Sequence, residues 1–304
     1  MRESDHLATL GRWYVRHVPG TLGKASLAAR MNTYLRERPR RRAVHTRFGA
    51  TLEIDTQDLI QRYIYTFGVW EPHLTYWLRR RLKPGDAFVD VGANLGYFSL
   101  LAADLVGDGG QVVAIEASPA FHALMLQQVR RNPYRSIRAV NAAVSDRTEL
   151  LTFVLASTKN MGANSIVPYD GPAESRFEME ARPLSELLDK TELSNARVIK
   201  VDVEGAEGAV MRGLYPVMGQ LRKDAEIAVE VTPSRMAKLG DAAPDLIDTM
   251  HQHGFHTYRL ANDYAPESYP KAVRNPAVPV RLSGGAITHE SDLIFSRIDA
   301  ETLP

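Results

Sequence analysis

Ala87-Phe88-Val89-Asp90-Val91-Gly92-Ala93-Asn94-Leu95-Gly96-Tyr97 begins as an apolar run carrying one acid and ends in two glycines. The run predicts a buried strand over Ala87–Val91, and a helix is predicted from Tyr97. Glycines in a strand-to-helix turn let the backbone approach a ligand closely, and they aim the free N–H groups of the helix N-terminus at it. A dinucleotide turn has the spacing G-x-G-x-x-G, whose middle glycine makes room for a pyrophosphate. Here Asn94 holds the middle position, and its side chain crowds that approach. Asp90, just ahead of the turn, repels a pyrophosphate as well. Gly92, Ala93, Asn94, Gly96 and Tyr97 therefore suit a ligand without phosphates. Asp90 is expected to accept from an ammonium group of that ligand, directly or through water.

Working outward, short β-rich runs alternate with helical stretches: Ala87–Val91, Tyr97–Val106, Val112–Glu116, Pro119–Arg131 and Ile137–Val144, then Val198–Val203, Ala206–Gly213, Ile227–Val231, Ser234–His253, Phe255–Leu260 and Leu293–Ser296. This rhythm predicts an α/β fold, a doubly wound parallel sheet with helices on both faces. Glu116 closes the strand after the glycine turn, where an acid can accept two hydrogen bonds from a ribose diol. Ala117, Ala143 and Val144 lie at strand ends where an adenine edge can be met. Ribose, adenine and an ammonium-bearing tail together describe S-adenosylmethionine. Residues 145–183 interrupt the alternation: Leu150–Leu155 and Arg176–Arg182 predict two strands flanking a loop at 156–175, a candidate border of the site.

Upstream of the sheet, residues 6–37 carry apolar positions at helical spacing, broken at Pro19-Gly20. Arg38-Pro39-Arg40-Arg41-Arg42 predicts a solvated linker, 44–55 a hairpin, and Gln57 to Arg81 mostly helix with a break near Gly68. Three segments follow: a basic helical N-terminal arm at 1–47, a helical lead-in or cap at 48–83, and a ligand-binding domain at 84–304 with the insertion at 145–183. The formal net charge is +1, but residues 1–47 hold eleven bases against Glu3, Asp5 and Glu37, which is +8 and leaves −7 for the rest. That balance argues against a nucleic-acid partner for the main domain. Only the arm is placed to meet an acidic partner or, peripherally, an anionic membrane surface. The chain has no cysteine, so it has no disulfide framework or thiolate zinc site, which fits a reducing compartment. No run reaches the roughly 20 apolar residues of a transmembrane helix. The polar N-terminus lacks the apolar core of a signal peptide, so a cytoplasmic location is expected.

On these residues the chain resembles the FkbM family of S-adenosylmethionine-dependent methyltransferases, from roughly Glu71 to Phe295. The resemblance rests on Glu71-Pro72, Pro84-Gly85-Asp86, the Asp90–Gly96 turn, Glu116 and Ala142-Ala143-Val144-Ser145-Asp146. Most specific is Ile199-Lys200-Val201-Asp202-Val203-Glu204-Gly205-Ala206-Glu207. The resemblance implies a Rossmann-like seven-stranded methyltransferase sheet, mostly parallel with the last strand antiparallel. It also implies O-methyl transfer to a sugar, polyketide, peptide or glycolipid-type metabolite, as in natural product biosynthesis. Residues 1–47 lie outside it.

Methyl transfer to a hydroxyl needs the acceptor held in line and its proton removed. Asp202 closes the fourth strand and Glu230 the next, and both are candidates for the base. Asp202 also borders the expected methyl-bearing end of the cofactor. His289, ahead of the last strand, has the pKa of a base at neutral pH. Glu71, with Tyr63, Tyr65 and Trp70, is expected over the cofactor mouth. Asn164, Ser165, Glu204 and Tyr264 are candidates for acceptor contacts, with Arg259 and Tyr269 further ones, and loop 262–285, rich in proline, a candidate flap. For Glu204 and Glu207 the competing use is capping of the following helix. Acids on neighbouring strand ends can also hold Mg²⁺, but without a ligand spacing that signal is weak, and the metal set stays open. His251, His253 and His256 are expected to pack or face solvent.

Three other functions compete. One is methyl transfer to a carboxylate of a peptide or small acid, and another a catalytically silent S-adenosylmethionine-binding module. The third, a nicotinamide-dependent oxidoreductase, is opposed by Asn94 and Asp90. A homo-oligomer remains open.

Overall fold

The structure, a computed structural model, describes residues 3–155, 164–167, 175–284 and 286–303. Helices α1 (Glu3–His17) and α2 (Lys24–Glu37) open the chain. On α2, Lys24, Ala28, Met31 and Leu35 recur at helical spacing and are buried. Val15, Ala28, Met31 and Leu35 share one apolar core with Tyr63, Trp77 and Phe88, so the arm packs on the main body. Strands β1 (Arg41–His45) and β2 (Thr51–Asp55) pair antiparallel, with Val44 opposite Leu52. The expected boundary at 47/48 therefore falls inside a hairpin that joins the two segments. The expected solvated linker also needs correcting: Arg40 is buried, its N–H donates to Thr56 Oγ1 at 2.8 Å, and its guanidinium lies over the Tyr34 ring.

Helices α3 (Leu59–Phe67) and α4 (Pro72–Arg81) follow, separated at Gly68 as expected. Asp58 caps α3 by accepting from Gln61 N–H at 2.9 Å, and Gly68 ends it at φ 77°.

The next elements are β3 (Ala87–Val91), α5 (Tyr97–Val106), β4 (Gln111–Glu116), α6 (Pro119–Arg131) and β5 (Ile137–Asn141). Then come β6 (Ala143–Val144), β7 (Glu149–Leu155), β8 (Asn164–Ser165), β9 (Ser175–Arg182), and short helices α7 (Leu184–Leu187) and α8 (Lys190–Asn195). The chain continues with β10 (Ala196–Val201), α9 (Glu207–Leu214), β11 (Glu226–Val231), α10 (Pro233–Met236), α11 (Ala243–Gln252) and β12 (His256–Leu260). It closes with α12 (Tyr269–Arg274), β13 (Val280–Arg281) and β14 (Ser291–Ser296).

The main sheet has the order β13-β12-β14-β11-β10-β3-β4-β5. β14 runs antiparallel between β11 and β12, as expected for the last strand. Seven strands were expected. The eighth, β13, is a two-residue antiparallel edge beside β12. Pro276 and Pro279, which lack an N–H, keep it short. Every residue of β3 and β10 is buried, which is why both read as nearly unbroken apolar runs. The chain leaves β3 towards β4 and β5 and returns on its other side through β10. The carboxyl ends of β3 and β10 thus form a topological switch point, where such sheets bind ligands.

The insertion forms a second sheet, β6-β9-β7-β8, with Phe153 and Phe177 stacked at 5.1 Å. Its two main strands lie within one residue of expectation. Most of the loop expected at 156–175, with Met161-Gly162-Ala163, lies outside the described residues. Loop 262–285 is less irregular than expected, because Pro270 sits in the first turn of α12 and Tyr269 is fully buried. Among the described residues no helix is long and apolar enough to cross a membrane.

Candidate active site

A cavity of about 1170 Å³, counting its open mouth, lies at the switch point. Gly92 borders it at φ 81°, and a Cβ there would stand 1.8 Å from the Asp202 carbonyl oxygen. The glycine is thus required by the backbone of the neighbouring strand end, which the sequence reading had assigned to the ligand. Gly92 and Ala93 N–H both donate to Ile115 O, at 2.9 and 3.0 Å, and Asp202 N–H to Val91 O at 3.0 Å. These bonds lock the three strand ends together.

Several turn residues expected at the ligand do not line the cavity. Gly96 (φ 88°) faces α6, where a Cβ would meet Met125 Cγ at 2.9 Å. Ala93 is buried, and so is Tyr97, whose hydroxyl lies 3.3 Å from Thr75 Oγ1. Asp90 is fully buried beneath the turn and accepts from Ser99 Oγ at 2.6 Å. It is not among the residues that line the cavity. Burial raises the Asp90 pKa, and the ammonium of Lys200, 3.9 Å away, opposes the rise.

One end of the cavity is suited to a nucleoside. Glu116 Oε2 accepts from Asn94 N–H and Oε1 from Ser118 N–H, both at 2.8 Å. Burial pushes the Glu116 carboxyl up to about 7, against these two hydrogen bonds. Each oxygen keeps a lone pair for a ribose hydroxyl. Ala117, Ala142, Ala143, Val144, Leu151, Phe153 and Ile166 make an apolar slot beside it. A flat, uncharged base fits that slot, and the lining has no cation to attract a phosphate there.

The other end is a cluster of carboxyls. Asp202 and Glu230 lie on neighbouring strand ends, and each shifts the other's pKa. Asp202 Oδ2 also accepts from Lys200 Nζ at 2.9 Å. Tyr264 Oη lies 3.0 Å from Glu230 Oε1 and 3.1 Å from Glu71 Oε1. Asn262 Nδ2 donates to Asp292 Oδ2 at 2.7 Å. One hydroxyl proton cannot serve two carboxylates, so at least one of Glu71 and Glu230 carries its own. Burial, then neighbouring carboxylates (Asp292 for Glu71, Asp202 for Glu230), raise both well above the usual range. Burial pushes Asp292 up to about 7, reinforced by Asp202. Asp202 itself is lowered: burial pushes it up, but Lys200, Glu230 and Arg235 together outweigh that. The pair therefore holds one proton and one negative charge, as closely spaced carboxyls must. Among the described residues no group of three or more His, Asp or Glu side chains is arranged to hold a metal ion. The cation inside this cluster is Lys200.

Three non-glycine residues among those described have positive φ: Glu71 (40°), Asn94 (53°) and Glu204 (57°). All three line this cavity. Left-handed backbone at such residues is strained and persists where the surroundings enforce it, commonly at functional sites. Glu204 is ion-paired with Arg235, which also lines the cavity. Glu207 Oε1 accepts from Gly205 N–H at 2.8 Å and so braces the turn that leads into α9.

The structure thus brings together Glu71, Gly92, Asn94, Glu116, Ala117, Ala143, Val144, Asp202, Glu204, Glu230 and Tyr264. It does not bring His289 in. That residue is exposed outside the cavity, and its neighbour Glu290 takes the lining position. Asn164 and Ser165 form β8 at the edge of the second sheet, their backbones paired with Leu155 and Val154, while their side chains lie outside those the structure describes. Of the aromatics, Trp70 lines the cavity stacked on Tyr264 at 5.2 Å, whereas Tyr63, Tyr65 and Tyr269 are core residues. Arg259 is exposed and outside the lining. His251 meets Thr257, His253 stacks on Tyr215, and His256 meets Arg281. Lys200, Arg235, Asn262 and Asp292 were missed. Lys200 left a signal: a lysine in the apolar run Val198–Val201 needs a buried partner.

The family described as the methyltransferase FkbM domain matches residues 90–257, more than half of the chain. The chain belongs to this family. It is an S-adenosylmethionine-dependent methyltransferase. A curated relative, the protein-L-isoaspartate O-methyltransferase of Aeropyrum pernix, is 38% identical over 64 residues, covering 21% of this chain and 24% of the relative. The chain thus matches about a quarter of that protein's length. A solved methyltransferase FkbM from Methylobacillus flagellatus is 15% identical with a TM-score of 0.39, covering 78% of this chain and 52% of that one. An S-adenosylmethionine-dependent O-methyltransferase from Thermotoga maritima is 12% identical with a TM-score of 0.40, covering 89% and 82%.

Proposed function

We propose that this methyltransferase methylates a hydroxyl of an uncharged, polar metabolite of the sugar, polyketide, peptide or glycolipid kind. The observation that carries the proposal is that the carboxyls of Asp202 and Glu230, from neighbouring strand ends, both open into the cavity beside Gly92; their opposed pKa shifts, Asp202 down and Glu230 up, assign one proton and one negative charge to the pair. Glu116 would accept from the ribose diol, the slot from Ala142 to Val144 would take the adenine, and Gly92 and Asn94 would border the amino-acid tail. When bound, S-adenosylmethionine would supply a sulfonium methyl group for the acceptor oxygen. Asp202, ionised at neutral pH, accepts a hydrogen bond from the acceptor hydroxyl and aligns its lone pair. As the oxygen–carbon bond forms, the pair takes up the hydroxyl proton and becomes neutral. Tyr264 and Glu71 close the site over the acceptor, with Trp70 stacked behind Tyr264.

The lining also bears on the acceptor's charge. It holds six acids (Glu71, Glu116, Asp202, Glu204, Glu230 and Glu290) and one base, Arg235, already paired with Glu204. A carboxylate acceptor meets repulsion there, which favours the hydroxyl reading over methyl-ester formation.

The test uses labelled S-adenosylmethionine and a panel of neutral glycosides, macrolides, hydroxylated peptides and carboxylic acids. Label is expected in base-stable ethers of the neutral acceptors, and Glu230→Gln is expected to reduce it while S-adenosylhomocysteine still binds. Label found solely in base-labile esters would replace this reading with the carboxylate one. Repeating the active reactions with a chelator tests for a required metal.

A further inference from the structure

A second cavity, about 700 Å³ counted in the same way, lies where the arm meets the body and shares no lining residue with the first. Its charged lining is Arg16, His17, Lys24, Arg47 and Arg274, with no acid. Among the described residues none of these four Arg and Lys side chains makes an ion pair. The inner ones are held by carbonyls: Arg16 donates to Ile64 O at 2.8 Å, Lys24 to Val15 O at 3.0 Å and Arg47 to Phe67 O at 3.0 Å. Burial and the cations Arg12 and Arg47 push Arg16 down to about 9. Lys24 is lowered by burial and by Arg47 and Arg274. Like charges are thus gathered against a low-dielectric wall with no counter-charge, and an anion there relieves each of them.

The neighbouring surface is apolar in an unusual way. Leu10, Trp13 and Leu22 are 63%, 57% and 87% exposed, and they are three of the six large apolar side chains exposed among the described residues. Leu10, Trp13 and His17 follow at helical spacing along one face of α1, with Trp13 stacked on His17 at 5.9 Å. Leu22 stands in the turn between α1 and α2. Exposed Leu and Trp beside a basic pocket match the boundary between lipid headgroups and acyl chains.

We infer that the arm docks on an anionic phospholipid surface, with a headgroup phosphate in the Arg16–Lys24–Arg47–Arg274 cavity and Leu10, Trp13 and Leu22 seated among the lipids around it. The +8 balance of residues 1–47 draws the arm to such a surface, and the −7 of the remainder turns the domain away from it.

The experiment uses the full chain with phosphatidylcholine vesicles, with and without phosphatidylglycerol, followed by co-sedimentation and tryptophan emission. Trp70 and Trp77 are buried, so Trp13 dominates any solvent-dependent change. Binding with a blue shift is expected only with phosphatidylglycerol, and salt weakens it. Arg274 is exposed and makes no hydrogen bond among the described residues, so Arg274→Glu keeps the fold, checked by an unchanged melting temperature. It lowers the vesicle partition coefficient about thirtyfold. Trp13→Ala lowers it about tenfold and leaves the salt dependence unchanged. Equal binding to neutral vesicles, or wild-type partition in both variants, overturns the inference. So does stabilisation by inorganic phosphate, lost in Arg274→Glu, without vesicle binding: that outcome makes the cavity a site for a free anion.

Discussion

Glu116 and Asp202 close the two strands that flank β3, and both are carboxyls on one cavity, Glu116 buried and Asp202 half-buried. Their surroundings differ in kind. Glu116 is held by N–H groups of Asn94 and Ser118, one in the glycine turn and one two residues on. Asp202 meets side chains, Lys200 and Glu230, in a cluster completed by Glu71 from the start of α4, Tyr264 from the loop after β12 and Asp292 from β14. Backbone partners fix a group's position and leave it one task, which in the function proposed above is ribose recognition. Side-chain partners that titrate give the second group a proton inventory. In that proposal the two ends of the cavity divide binding from chemistry.

The largest expected effect falls on the chemical end alone. Asp202→Asn removes the ionised member of the pair, and kcat should fall by about 10²–10⁴ while the Kd for S-adenosylhomocysteine, measured by calorimetry, stays within a few fold. Equal loss of binding and turnover would erase the division. Gly92→Ala tests the junction between the two ends. With φ at 81° and the Asp202 carbonyl 1.8 Å from the new Cβ, the strand ends must separate. Destabilisation of about 3 kcal/mol is expected in chemical unfolding, with both binding and activity lost. A wild-type unfolding midpoint would mean that the junction yields freely.

Glu116→Gln addresses the binding end. Losing a charge-assisted acceptor of the ribose diol should weaken S-adenosylhomocysteine about ten- to hundredfold, with kcat at saturation nearly unchanged. A kcat effect larger than the Kd effect would move Glu116 into the chemistry.

The most widely shared effect is on pH dependence. Burial holds Glu207 at about 7 in the folded protein, above its usual 4.5, so the native state keeps a proton that the unfolded chain releases between these values. Stability therefore falls as pH rises from about 4.5 to about 7, by up to about 3 kcal/mol from this group. Glu116 and Asp292, also held near 7, act with the same sign. Glu207→Gln keeps an acceptor for Gly205 N–H and should flatten that slope, seen by denaturant unfolding at pH 5 and pH 8. An unchanged slope would assign it to the other buried acids.

The same contrast separates what could be read from residue order. Strand and helix periodicity, the turn at Gly92–Gly96, Glu116 with its following Ser118, and the two main strands of the insertion all depend on neighbours a few residues away. Sequence therefore determined the alternating strands and helices of the sheet and, through its motifs, the family, whose resemblance implied the antiparallel last strand. Tertiary structure decided the rest. Asp90 reads as a ligand contact until the packing of α5 and Lys200 covers it, and Gly92 is a glycine because of a carbonyl 110 positions later. His289 has the right chemistry for a base, but its strand's pleat and loop leave it outside while Glu290 lines the cavity and Asp292 joins the cluster. The carboxyl cluster draws on residues from Glu71 to Asp292, and its shared proton exists only because burial and mutual repulsion act at distances that chain order does not encode.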